Sequence, residues 1–149
     1  MKKKFFSLFL FIIVFVSACT NGTNITREEK ITVYKSPTCG CCEGWSTYMR
    51  QQGFEVEVIS VVDLDTIKDK YNIPKNLESC HTAIVGDYVV EGHIPIDVVD
   101  KLLEEKPDID GIALPRMPSG SPGMPGPKTG EWIIYGLEEG QYSEYTRVW

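Results

Sequence analysis

Three cysteines fall within four positions, Cys39, Cys41 and Cys42, where one periodicity gives way to another. Before them Ile31-Thr32-Val33-Tyr34-Lys35 alternates apolar and polar residues and stops at Ser36-Pro37, which predicts a strand running into a loop. After them Trp45, Tyr48, Met49 and Gln52 recur at i, i+3, i+4 and i+7, and Gly53 stands where a glycine ends a helix. The cluster therefore occupies a strand-to-helix junction, with its sulfurs at a helix N-terminus. Small domains do not space disulfide staples this way, because neighbours such as Cys41 and Cys42 bridge each other only with strain. Outside the cytosol, such a cluster is metal-bound, redox-active or kept reduced.

The remaining periodicities extend the pattern. Residues 54–62 read as a second strand, and 63–71 as a short helix with Leu64, Ile67 and Tyr71 facing inward. Residues 80–85 and 88–93 read as a hairpin across Gly86-Asp87. Ile96, Val99, Leu102 and Leu103 then recur at helical spacing between Pro95 and Pro107. The order strand, helix, strand, helix, strand, strand, helix predicts an α/β, thioredoxin-like mixed sheet flanked by helices. Residues 111–130 interleave Pro115, Pro118, Pro122, Pro125 and Pro127 with glycine and serine, so the expectation there is a long Pro/Gly-rich loop with no helix or central strand. Residues 131–135 and 142–148, either side of Glu138-Glu139-Gly140, predict a C-terminal hairpin extension.

The opposite end has the order of a secretory signal: Met1-Lys2-Lys3-Lys4, an apolar run to Val16, then Ser17-Ala18-Cys19. The ending resembles a lipobox, where bacteria acylate the cysteine and cut before it, so residues 1–18 are expected to be a lipoprotein signal peptide and Cys19 the lipidated first residue of the mature chain. Residues 19–30 are largely polar and without an apolar period, which suits a flexible tether, leaving 31–149 as one domain. The expected location is the cell envelope, lipid-anchored to a bacterial membrane and facing the periplasm or exterior. Cleavage removes three lysines and no acid, so the formal net charge of −6 becomes about −9. That balance excludes nucleic acid as a partner, which demands clustered Lys and Arg.

The donor chemistry points to a soft metal. Cys39 and Cys42 have the C-x-x-C spacing of thiol-disulfide enzymes, but Cys41 adds a third sulfur that a two-electron dithiol does not need. A helix N-terminus lowers thiol pKa values, and thiolates together with thioethers select copper(I), which accepts two or three soft ligands. Cys80, His81 and His93 add donors at strand edges; each histidine is either a ligand or a surface residue hydrogen-bonded to backbone. Met117 and Met124 lie in the Pro/Gly loop, as lid ligands or as side chains packing that loop. Two further readings stand beside copper: a membrane-tethered thiol-disulfide oxidoreductase using Cys39 and Cys42, and a zinc-binding interaction module.

Four separated motifs then carry a family resemblance: Tyr34-Lys35-Ser36-Pro37-Thr38-Cys39-Gly40-Cys41-Cys42, Ser79-Cys80-His81-Thr82-Ala83, Glu91-Gly92-His93-Ile94-Pro95 and Gly120-Ser121-Pro122-Gly123-Met124. Together they resemble the CopG-like copper-resistance family of thioredoxin-like, predicted metal-binding proteins, over residues 30–124. The resemblance implies a periplasmic protein that binds copper at the Cys-x-Cys-Cys motif, with cycling between Cu(I) and Cu(II), a copper-dependent oxidoreductase activity, as a further implied capacity. It also implies other copper-transport or resistance proteins as partners. By the same likeness, Cys39, Cys41 and Cys42 match the metal motif, and Cys80, His81, His93, Met117 and Met124 match other donor-type positions. The chain departs from the pattern at Arg116, where the family usually has glycine, which implies a different loop path at Met117. Compared with thioredoxins, Cys80-His81 stands where a cis-proline usually shapes the substrate-thiol groove, which disfavours disulfide exchange.

Overall fold

The computed structural model describes residues 27–149. The signal peptide, Cys19 and most of the expected tether lie outside the described residues. Within them the chain forms β1 (Lys30–Lys35), α1 (Gly40–Gln51), β2 (Glu55–Ser60), α2 (Asp65–Lys70), β3 (His81–Val85), β4 (Tyr88–Glu91), α3 (Ile96–Glu105), β5 (Gly111–Ala113), β6 (Trp132–Glu138) and β7 (Gln141–Val148). One mixed sheet runs in the order β2-β1-β3-β4-β5-β6-β7. β1 and β2 are parallel, joined by α1 as a crossover, while β3 lies antiparallel to both β1 and β4. This is the thioredoxin-like arrangement that the element order predicts.

Alternation along the strands feeds two apolar clusters on opposite faces of the sheet. One gathers Ile31, Val33, Val90 and Ile112 with Trp45 and Met49 of α1 and Val99 and Leu102 of α3. The other, smaller cluster takes Val89, Ala113 and Leu137 with Ile73 and Leu77. On α1 the buried positions are Cys42, Trp45, Ser46 and Met49, the i, i+3, i+4, i+7 set that seats one stripe of a helix on a sheet. Each large apolar side chain buried this way contributes roughly 1.5–3 kcal/mol. Gly53, at φ 93°, takes the left-handed turn that ends α1.

Three expectations change. Residues 111–130 are not loop throughout: Gly111–Ala113 form a central strand, parallel to β4 and antiparallel to β6. Three ladder residues are too few to show alternation, and the first proline, Pro115, comes only after the strand has ended. Gly111 is required there, since a Cβ would collide with the Val89 carbonyl oxygen. The C-terminal hairpin forms as expected and, through β5, continues the main sheet. On α2 the fully buried side chain is Lys68, whereas Leu64, Ile67 and Tyr71 are half-buried. Finally, the last residues assigned to the tether belong to the domain: Arg27 donates to the Gln52 carbonyl at 2.9 Å, pairs with Asp100 and stacks on Phe54, and Lys30 is in β1. Among the described residues, no helix is long and apolar enough to cross a membrane.

Candidate metal centre

The chain leaves the C-terminal end of β1 at Lys35, turns through Ser36-Pro37-Thr38 and enters α1 with Cys39 as its N-cap. The Cys39 sulfur itself accepts the Cys42 backbone N–H at 3.3 Å, satisfying one of the helix's free donors. The expected placement of the motif at a helix N-terminus is thus realised in its geometry. Facing it, Cys80 sits just before β3, His81 opens that strand, and His93 follows β4. Because β1 and β3 pair as neighbours, with Lys35 opposite His81, the two segments meet at one end of the sheet.

The sulfurs converge. Cys39, Cys41, Cys42 and Cys80 form one group, and Cys80, His81 and His93 a second, with the donor atoms in each within 4.8 Å of one another. Cys80 is common to both: its Sγ lies 3.7 Å from Cys41 Sγ and 2.9 Å from His93 Nε2. Cys41 Sγ is 3.4 Å from Cys39 Sγ. The state described is oxidised in part, since Cys39 and Cys42 are joined by a disulfide while Cys41 and Cys80 are free. The three sulfurs stand at the helix N-terminus as expected, but in this state Cys41 alone of the motif is a free thiol, and Cys42 is fully buried.

The histidines are also not where a surface role would put them. Both are completely buried. His81 stacks on Trp45, with ring centroids 4.7 Å apart, and meets His93 edge-on at 4.9 Å. Its Nδ1 is 3.6 Å from Cys80 Sγ, while its Nε2 is buried without a hydrogen-bond partner among the described residues. Burial holds the His81 imidazole well below its ordinary range, helped by the neighbouring His93 and Lys68. Burial likewise lowers His93, against the effect of the Pro122 carbonyl. Because a carbonyl oxygen can only accept, His93 Nδ1 must donate to Pro122 O at 2.7 Å, which leaves the Nε2 lone pair facing Cys80. Desolvation, then the adjacent Cys41, push the Cys80 thiol up to about 12. The site at rest therefore offers neutral imidazoles and a protonated thiol.

The loop after β5 crosses this end of the molecule. Gly123 lies against the α1 N-terminus so closely that a Cβ would meet Trp45 N at 2.5 Å and Cys41 O at 2.7 Å, and Gly44 opposes it. Met124 follows directly, half-buried, its N–H donating to Ser121 O at 2.8 Å. Met117 is half-buried as well, and its neighbours Arg116 and Pro118 line a cleft with Asn76 and Trp132. Arg116 and Met117 have φ of 68° and 43°, the left-handed region that favours glycine, so the sequence departure at Arg116 falls on a position whose backbone suits the family's usual residue.

Sequence reasoning missed the buried pair beneath the site. Glu91, at the end of β4, and Lys68, on α2, are 0% and 3% exposed and form an ion pair. The signal for Lys68 was its spacing: with Leu64, Ile67 and Tyr71 it completes an i, i+3, i+4, i+7 stripe.

A thioredoxin-like fold with a sulfur-rich donor set at the strand-to-helix junction defines the class: a small thiol protein with a site of metal-binding type. The comparisons narrow it. A family described as "Protein of unknown function, DUF411" matches residues 77–124. A solved structure described as "Copper resistance protein copG", form 2, is 34% identical over 82% of this chain and 99% of its own, with a TM-score of 0.75. Form 1 gives 35% identity, 80% and 96% coverage and a TM-score of 0.73. The chain belongs to the CopG copper-resistance family. No curated protein matches it. A match over 82% of the chain is longer than residues 30–124, so the likeness reaches beyond the stretch that carries the four motifs.

Proposed function

We propose that this protein handles copper, binding it as Cu(I) when the Cys39–Cys42 disulfide is reduced. The observation that carries the reading is the convergence of four cysteine sulfurs and two buried neutral imidazoles at one end of the sheet, in a family whose solved members are described as copper resistance proteins. The donor chemistry fits: neither group contains a carboxylate, and thiolate with imidazole is a soft set. Cys39, Cys41, Cys42 and Cys80 are the proposed sulfur ligands, His93 and His81 the proposed nitrogen ligands, and Met124 and Met117 the proposed thioether donors from the crossing loop. Copper supplies the affinity for sulfur and, through its two oxidation states, a one-electron capacity. The chain's own residues orient the donors, the Pro122 carbonyl fixing His93 and the α1 N-terminus fixing Cys39. The proposed setting is the cell envelope, with Cys19 lipidated after removal of residues 1–18, and with other copper-transport or resistance proteins as partners.

The test is an anaerobic competition of the reduced mature protein against Cu(I) chelators of graded strength. The reduced protein is expected to take copper from a weak chelator and the disulfide form to do so far less well; failure of the reduced protein against the weakest chelator ends the assignment. Cys41→Ser is expected to weaken binding by at least the roughly 10- to 100-fold that loss of an outer-shell partner brings, with the fold intact.

The Cys39–Cys42 disulfide at a helix N-terminus favours one second reading, thiol-disulfide exchange at the same motif. Metal-free reduction of a model disulfide, surviving Cys41→Ser, distinguishes it from copper binding. A four-ligand zinc site is separated from both by metal analysis of the purified protein.

A further inference from the structure

The Lys68–Glu91 pair lies directly under the segment that carries Cys80, and its contacts are specific. One carboxylate oxygen of Glu91 accepts the Lys68 ammonium and the backbone N–H of Ser79, the latter at 2.5 Å. The other accepts the Thr82 hydroxyl at 2.7 Å, and Lys68 Nζ donates to that same hydroxyl oxygen at 3.2 Å. Thr82 and Glu91 are also register partners across β3 and β4. Four parts of the chain are thereby tied to one buried carboxylate: α2, the 79–80 bend, β3 and β4. Three donor residues interleave with the clamp in sequence, Cys80 and His81 between Ser79 and Thr82, and His93 two residues after Glu91.

Burying a lysine and a glutamate is expensive, and a matched apolar pair is often as stable or more so. What an apolar pair cannot do is accept the Ser79 N–H. We propose that Glu91, held by Lys68, is a positioning residue for Cys80: it fixes the backbone immediately before the one sulfur that both donor groups share. This rests on the reading of those groups as a metal site. Lys68 pairs with the carboxylate that does the holding, and the tie to the Ser79 N–H is a matter of geometry.

The experiment uses the mature chain and two readouts. The first needs no mutation: in the unmutated protein the Ser79 amide proton is expected to be protected from exchange and shifted downfield by its carboxylate acceptor. Exchange as fast as that of an open loop amide overturns the proposal. The second compares Lys68→Met/Glu91→Leu with the unmutated chain. The double variant removes both charges and leaves the Ser79 N–H without its acceptor. It is expected to stay folded while Cu(I) affinity falls roughly 10- to 100-fold, the range for loss of an outer-shell partner, and the thiolate-to-copper absorption changes shape. In the metal-free protein, site-resolved alkylation of Cys80 is expected to change rate while that of Cys41 does not. A folded double variant with unaltered affinity, spectrum and Cys80 reactivity overturns the proposal. If the unmutated protein fails to bind copper, the function proposed above falls, and the amide and alkylation measurements still decide the clamp. If the double variant does not fold, the Ser79 amide measurement decides alone.

Discussion

Burial at His81 and His93 has a consequence for stability that can be read without any metal. Both imidazoles are held below the ordinary value of 6.5 in the folded protein, so below that pH the unfolded chain takes up protons that the folded chain refuses. Stability is therefore full above about pH 6.5 and falls as pH drops, approaching about 1.4 kcal/mol per pH unit for each histidine fully protected from protonation. Melting temperatures of the metal-free protein between pH 7.5 and 5 are expected to show this slope, and His81→Gln to reduce it. The Cys80 thiol gives metal binding a pH dependence of the same sign. With Cys80 pushed up to about 12, any metal that takes its sulfur must displace a proton, so apparent affinity is expected to rise with pH across the neutral range. The sequence shows that these residues carry donor atoms. It does not show their burial, because His81 and His93 become interior only when Trp45 and the Pro122 carbonyl arrive from distant segments.

The secondary structure elements follow the sequence closely wherever a period has room to express itself. α1, α3 and the two ends of the terminal hairpin are long enough for their spacing to be unambiguous, and α1's N-terminus is marked by the very cysteines that matter. β5 is not, since three residues carry no period and the prolines that follow obscure it. Its position depends on Gly111: Gly111→Ala is expected to destabilise the fold by several kcal/mol, within the range for overpacking against a fixed backbone, read as a lower denaturation midpoint. The crossing loop gives a test of opposite sign. Arg116 adopts φ 68°, a conformation costing a non-glycine residue roughly 1–2 kcal/mol, so Arg116→Gly is expected to stabilise the protein by up to about 1 kcal/mol after glycine's extra chain entropy is counted. A loss of stability instead would mean that the arginine side chain holds the loop.

For the whole molecule, the seven-stranded sheet has one main core, and the terminal hairpin is part of it. Trp132 and Ile134 of β6 pack in the same cluster as Trp45 and Ile112. Truncation after Gly130 is therefore expected to abolish cooperative unfolding, not merely trim an appendage, with exposed β5 and core surface visible as dye binding or aggregation. A hairpin at the end of a sequence reads as an extension because nothing local says which strand it joins; the partner, β5, was itself hidden.

The polarity of β1 gives the molecule two unlike poles. Arg27 fastens the chain to the 52–54 turn at one end, and the sulfurs gather six strand residues later at the other, about 20 Å away. Seven residues lie between Cys19 and Arg27, eight chain steps that span at most about 28 Å. If Cys19 carries the proposed lipid, the attachment enters the domain at the pole opposite the sulfurs. Whatever reaches those sulfurs would then approach from the far pole, leaving the anchored end unobstructed.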